Sequence, residues 1–188
     1  MLIKIFIDQG HNPRNPNAGA EGNGLREQDI TYKVGVALSE LLNADPKFSA
    51  KLSRNSPSEI LGTSNAESLR IRVNEAIRYG ADAFISIHLN ASVITSATGS
   101  EAFVYRLGSE ADALAGDILL RLTEATGYQN RGVFARPTLY VLRKTPMPAT
   151  LLEIGYITNP EEARFMNENP MLYARGIYNG ILTYYGYY

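Results

Sequence analysis

The chain contains no cysteine and only two histidines among its 188 residues. Lack of cysteine removes every thiolate metal site, every cysteine nucleophile and any disulfide framework. None is needed for stability, since a domain of this length buries about 70% of its unfolded surface. The compartment stays open, because exported proteins without disulfides exist. Charge of one sign is also missing: 18 basic residues face 19 acidic ones, a net charge of −1. A basic stripe for nucleic acid or for a membrane surface is thereby excluded. The longest apolar runs are about seven residues, against roughly 20 for a membrane-spanning helix. The start, MLIKIFIDQGH, lacks the charged region, long apolar stretch and cleavage site of a signal peptide.

What is present is an alternation of strand-like and helix-like segments. LIKIFID (2–8) is nearly continuously apolar, as in a strand covered on both faces. The Pro-, Asn- and Gly-rich stretch 11–24 reads as a long irregular loop, a length usually reserved for function. A helix is expected from near Leu25, with Ile30, Val34, Leu38, Leu41 and Leu42 on one face. A half-buried strand over 47–55 precedes a second helix, opened by the capping box Ser64–Glu67 and stopped at Gly80. Leu69, Val73, Ala76 and Ile77 form its apolar stripe. Further strands are read at 81–88, 100–105, 138–143 and 149–156, and helices at 109–126, after Asn159, and at 170–184. The expectation is an α/β fold: one domain over 1–188, a mostly parallel twisted sheet with helices on both faces.

In such folds ligands sit beyond the carboxyl ends of the strands. His11 follows the first strand, His88 ends FISIH, and Glu153 interrupts the apolar LLEIGY. A buried carboxylate is costly unless paired; a cation would satisfy Glu153, and so would an arginine such as Arg143. Glu27 is a fourth candidate, although an acid at a helix start also suits the macrodipole. Two imidazoles and a carboxylate make a catalytic zinc set with one position open for water. A second, uncoordinated carboxylate could carry the proton. The inventory fits a metal-dependent amide hydrolase.

The blocks IFIDQGHN, GNGLREQD, ADAFISIHLNA, GSEAFVY, RGV and LYVLRKTPMPATLLEIGYITNPEE occur in a diagnostic order. Over about residues 3 to 184 the chain resembles the zinc-dependent N-acetylmuramoyl-L-alanine amidases with an amidase_3-type domain. The resemblance implies one zinc ion on His11, Glu27 and His88, with Glu153 as the general base. It also implies peptidoglycan as the substrate and cleavage of the amide between N-acetylmuramic acid and the L-alanine of the stem peptide. Two departures stand out: Gln9 replaces a usual proline, and Asn12 a frequent glycine.

Three matched positions are secondary candidates. Asn90 could bind substrate or serve a turn, and Glu101 could orient a metal ligand or be a plain strand acid. Arg131 could meet a stem-peptide carboxylate or only solvent. The resemblance further implies a monomer acting at the cell wall, with an export segment removed or release by lysis or a holin. The setting (sporulation, germination, cell separation or phage lysis) stays open. The rival enzyme is a cell-wall glycosidase using Glu27 and Glu153 as its two carboxylates. A non-catalytic wall-binding module is a third reading, disfavoured by the intact metal and base positions.

Overall fold

A computed structural model describes residues 2–188. Six strands form the main sheet: β1 (Ile3–Gln9), β4 (Phe48–Leu52), β5 (Ala83–Asn90), β6 (Ser100–Val104), β7 (Asn130–Ala135) and β8 (Ala149–Tyr156). Their spatial order is β4-β1-β5-β8-β6-β7, and every neighbouring pair is parallel except β8 with β6. Successive residues of a strand face opposite sides, which explains the nearly continuous apolar runs. Ile5 and Ile7 pack into the core on one face, whereas Phe6 joins the core on the other. Helices α1 (Glu27–Ala44), α3 (Glu110–Thr126) and α6 (Pro170–Tyr184) cover the first face. Helices α2 (Asn65–Tyr79) and α4 (Tyr140–Lys144) cover the second, and α5 (Pro160–Glu168) follows β8. No helix of the described residues is long and apolar enough to cross a membrane.

The expected α/β class holds, with four local corrections. α1 begins at Glu27, two residues after Leu25. Leu25–Arg26 (β3) pairs antiparallel with Glu21–Gly22 (β2) around Asn23 and Gly24, both at positive φ. Asn-Gly is the sequence suited to such a turn, so this hairpin was legible. Residues 138–143 do not form a strand. Val141 and Leu142 are both buried, as successive residues of a helical turn docking on the sheet can be, and Thr145 Oγ1 closes the turn on the Val141 carbonyl at 2.7 Å. Tertiary packing overrides the β propensity of this short segment. The edge strand β7 was not expected, because four of its six residues are exposed and none is buried. On α2, Ile77 is 44% exposed and Arg72 takes the buried position.

Candidate metal centre

The chain leaves β1, crosses to β4 on one side, then returns past β1 to β5 on the other. Strand order therefore reverses between β1 and β5, the place where open α/β sheets form a ligand crevice. His11 lies just past the end of β1 and His88 near the end of β5, so both imidazoles enter this crevice. Gly10 makes the approach feasible. A Cβ there would stand 2.5 Å from the Ile87 carbonyl oxygen and 2.6 Å from the His88 ring. His11 itself adopts φ 67°, a left-handed conformation costly for a non-glycine residue. It is held there by Arg72, as described below.

Glu27, the first residue of α1, meets both imidazoles. Its Oε1 lies 3.2 Å from His11 Nε2 and 3.1 Å from His88 Nδ1, and those two nitrogens are 3.2 Å apart. Glu27 Oε1 also accepts the Leu89 amide at 2.9 Å, and Oε2 accepts the Ala20 amide at 2.8 Å. Burial pushes the Glu27 carboxyl pKa up, but the two imidazoles outweigh it and hold the group well below the usual carboxylate range. Gly19 packs so closely that a Cβ would approach both Glu27 and the His11 ring within 3 Å.

These three donors fit a metal ion. Tetrahedral ligands at about 2.0–2.1 Å from zinc stand roughly 3.4 Å from one another, close to the spacings found. Two imidazole nitrogens and an ionised carboxylate also match the chemistry of a zinc site with an open position. His11, Glu27 and His88 are the described cluster able to hold an ion.

Glu153 stands beside this triangle on β8, in register with His88 on β5 and with Glu101 on β6. Its Oε2 is buried and has no hydrogen-bond partner. Burial, then the neighbouring charges of Glu27 and Glu101, push its carboxyl up to about 8. Arg143 does not pair with it: Arg143 lies exposed on α4. The free polar atom of Glu153 is thus a carboxyl with no structural duty, next to a group of metal donors. Perturbed carboxyls of this kind mark functional sites.

The secondary candidates gather on the β6 side. Asn90 donates Nδ2 to Glu101 Oε1 at 2.5 Å, and Arg131 Nε lies 3.8 Å from Glu101 Oε2. The Arg131 guanidinium also sits 5.4 Å over the Tyr156 ring. Glu101 therefore holds Asn90 and Arg131 on the β6 side of Glu153.

Two residues that sequence reasoning passed over support the histidine turn. Arg72 and Asp8 form a buried ion pair at 2.6 Å, with Arg72 only 1% exposed. The signal was an arginine placed within the inward stripe of α2, one residue before Val73. A cavity of about 780 Å³ lies at the opposite end of the sheet near Arg106 and Met147 and contains none of these residues.

The sequence profile of the N-acetylmuramoyl-L-alanine amidases matches residues 5–183. The chain is 34% identical over 184 residues to the sporulation-specific N-acetylmuramoyl-L-alanine amidase of Bacillus subtilis, covering 96% of this chain and 67% of that one. An endolysin of Bacillus phage SPP1 is 30% identical over 177 residues, 89% of this chain and 60% of the other. Among solved structures, the catalytic domain of the amidase CwlV from Bacillus (Paenibacillus) polymyxa superposes with a TM-score of 0.86 at 28% identity, covering both chains completely. Profile, relatives and fold agree: this chain belongs to the N-acetylmuramoyl-L-alanine amidase family.

Proposed function

We propose that the chain works as a single catalytic domain at the cell wall. It hydrolyses the amide between the lactyl group of N-acetylmuramic acid and the first L-alanine of the peptidoglycan stem. The observation carrying this reading is the convergence of His11, Glu27 and His88 beside an unpaired Glu153. His11, Glu27 and His88 would hold one zinc ion. Bound there, zinc would polarise the amide carbonyl and lower the pKa of a water to about 7.

The remaining work falls to the protein. Glu27, fixed by the Leu89 and Ala20 amides, keeps both imidazoles turned inward. With a cation held beside it, the Glu153 carboxyl would be ionised, so that it can accept a proton from the attacking water and deliver it to the departing alanine nitrogen. Water's oxygen ends on the muramic carboxyl, and the stem peptide leaves with a free amine. Asn90, Glu101 and Arg131 line the mouth where substrate enters. All of these side chains come from one chain, so a monomer suffices.

The glycosidase reading loses one of its two carboxylates. Glu27 is 3% exposed and committed to two imidazoles and two backbone amides, so it cannot reach a glycosidic oxygen. Mass spectrometry of purified peptidoglycan, digested with and without a chelator, tests the proposal. New stem peptides beginning with free L-alanine should appear and vanish on chelation. New reducing sugar ends that persist with chelator would replace the amidase by a glycosidase.

A further inference from the structure

A small, partly open niche lies against the two imidazoles. It holds about 140 Å³, and His11 and His88 form part of its wall. The other walls are Leu69 from α2, Leu139, Tyr140 and Val141 at the start of α4, Leu151 on β8, and Asn17, whose Nδ2 donates to Ser68 Oγ at 3.1 Å. Leu151 stands two residues before Glu153 and so faces the same side of the sheet. The niche is therefore placed between the metal donors and the strand that carries the general base.

Two charged residues, Asp8 and Arg72, also border the niche, but both are already spent. Arg72 Nη1 donates to Asp8 Oδ1 and to the Gln9 carbonyl, each at 2.6 Å, and Nη2 donates to the His11 carbonyl at 2.7 Å. Its Nε points to Ser68 Oγ at 3.4 Å. Asp8 Oδ2 accepts the Ser86 hydroxyl at 2.8 Å. A polar ligand entering the niche would exchange water for a wall made mostly of leucine and valine side chains, with the Arg72 donors already committed, at a desolvation cost. An alkyl group would lose nothing and gain burial.

From this we infer that the niche seats the alkyl substituent on one of the two carbons flanking the scissile amide. It would then select the substrate by size and apolarity at that carbon. The inference rests on the amidase reading. On one side that carbon is the lactyl carbon of muramic acid; on the other it is the α-carbon of the first stem residue. Each carries a methyl in the proposed substrate, and the chemistry offered to the niche is the same. The volume exceeds that of a methyl group, since one water occupies about 30 Å³ in the liquid. Room remains for further carbons.

The test uses the zinc-loaded chain and two series of synthetic muramyl peptides, followed by kcat/KM. In one series the first stem residue is glycine, L-alanine or L-2-aminobutyrate. In the other the lactyl methyl is absent, present or extended to ethyl. One series should rise about fourfold from hydrogen to methyl, the yield of burying one carbon, and hold or rise again at ethyl. The other should stay flat, which identifies the seated group. The Leu69→Phe variant, which fills the niche, should collapse the rise to within twofold. Its kcat/KM on the methyl-free substrate serves as the reference from which that rise is measured.

Two flat series, or a rise that survives in folded Leu69→Phe, overturn the niche while leaving the amidase reading in place. Absence of amide cleavage across both series overturns the amidase reading and the niche with it. Should Leu69→Phe not fold, Leu139→Ala reverses the experiment. Its wider niche should shift the optimum towards a propyl substituent, and an unchanged chain-length profile overturns the inference.

Discussion

Arg72, on α2, donates Nη2 to the backbone carbonyl of His11 at 2.7 Å. The same guanidinium reaches the Gln9 carbonyl, Asp8 Oδ1 and Asn12 Oδ1. One buried cation thus clamps the whole turn that carries a metal-ligand candidate in a left-handed conformation. Such a conformation costs about 1–2 kcal/mol for an L-residue.

Arg72→Met should destabilise the protein by about 3–5 kcal/mol, because Asp8 is left buried without its partner. Urea denaturation measures this. The Asp8 carboxyl pKa is raised by burial, but Arg72 more than compensates and holds it below its usual range. A depressed carboxyl contributes stability above its unfolded pKa of about 3.9, and that contribution is lost as pH falls through the lower folded value. The stability gap between wild type and Asp8→Asn should therefore be full at pH 7 and shrink at pH 2. A gap independent of pH would show that the ion pair does not supply it.

Glu153 offers the opposite sign. In the metal-free protein its carboxyl is pushed up to about 8, first by burial and then by Glu27 and Glu101. A raised carboxyl contributes stability below its unfolded pKa of about 4.3 and loses it as pH rises towards 8. In chelator, Glu153→Gln should gain in Tm on wild type between pH 4.5 and 8, by several degrees at the upper end. Parallel Tm curves across that range would contradict the assignment. With zinc restored, the same variant should keep one ion per chain yet lose about 10²–10⁴ of its turnover.

Glu27→Gln removes the only carboxylate among the three donors. Zinc titrated into the apo wild type should raise Tm in proportion to ligand binding. The variant should show little or no rise, and elemental analysis should find well under one zinc per chain. His11→Ala and His88→Ala should behave alike. A variant that keeps full zinc content would move the metal elsewhere.

Gln9, one of the two departures noted in the sequence, has a partner across the core. A Cβ on Gly35 of α1 would stand 2.5 Å from Gln9 Cγ. Gln9 Oε1 accepts the Arg54 amide at 2.9 Å, and the Gln9 amide donates to Ser53 Oγ at 3.0 Å. The long side chain thus fastens the chain leaving β4 to the base of the histidine turn. Gln9→Ala should cost about 1–3 kcal/mol for the stranded amide, with activity within threefold of wild type. Gly35→Ala should be harmful alone and milder when combined with Gln9→Ala. Strict additivity in that double-mutant cycle would mean the two sites do not share space.

The sequence showed much of this because several signals are local. Alternating and continuous apolar runs marked β1, β5 and β8, and the stripes of α1 and α3 marked the helices that cover them. Ser64, Asn159 and Gly80 marked helix ends that the structure reproduces: Ser64 accepts the Glu67 amide, Asn159 accepts two amides of α5, and Gly80 adopts a left-handed C-cap. The four chemical residues stood out as polar groups at the ends of apolar segments. Residues 138–143 went wrong because six residues with mixed β and helix character are settled by what they pack against. β7 went unseen because an edge strand with no buried row lacks the alternation that reveals strands.

By itself, then, the sequence determined the fold class, the main elements and the identity of the metal-donor and base candidates, since residue type and period are local properties. Only the tertiary structure decided that His11, Glu27 and His88 meet within 3.2 Å. It alone placed Glu153 unpaired beside them and made a buried Arg72 the clamp for the turn. Those facts depend on the reversal of strand order between β1 and β5 and on helices packed from both faces. Distances between residues so far apart in the chain are set by the sheet, not by any stretch of the sequence.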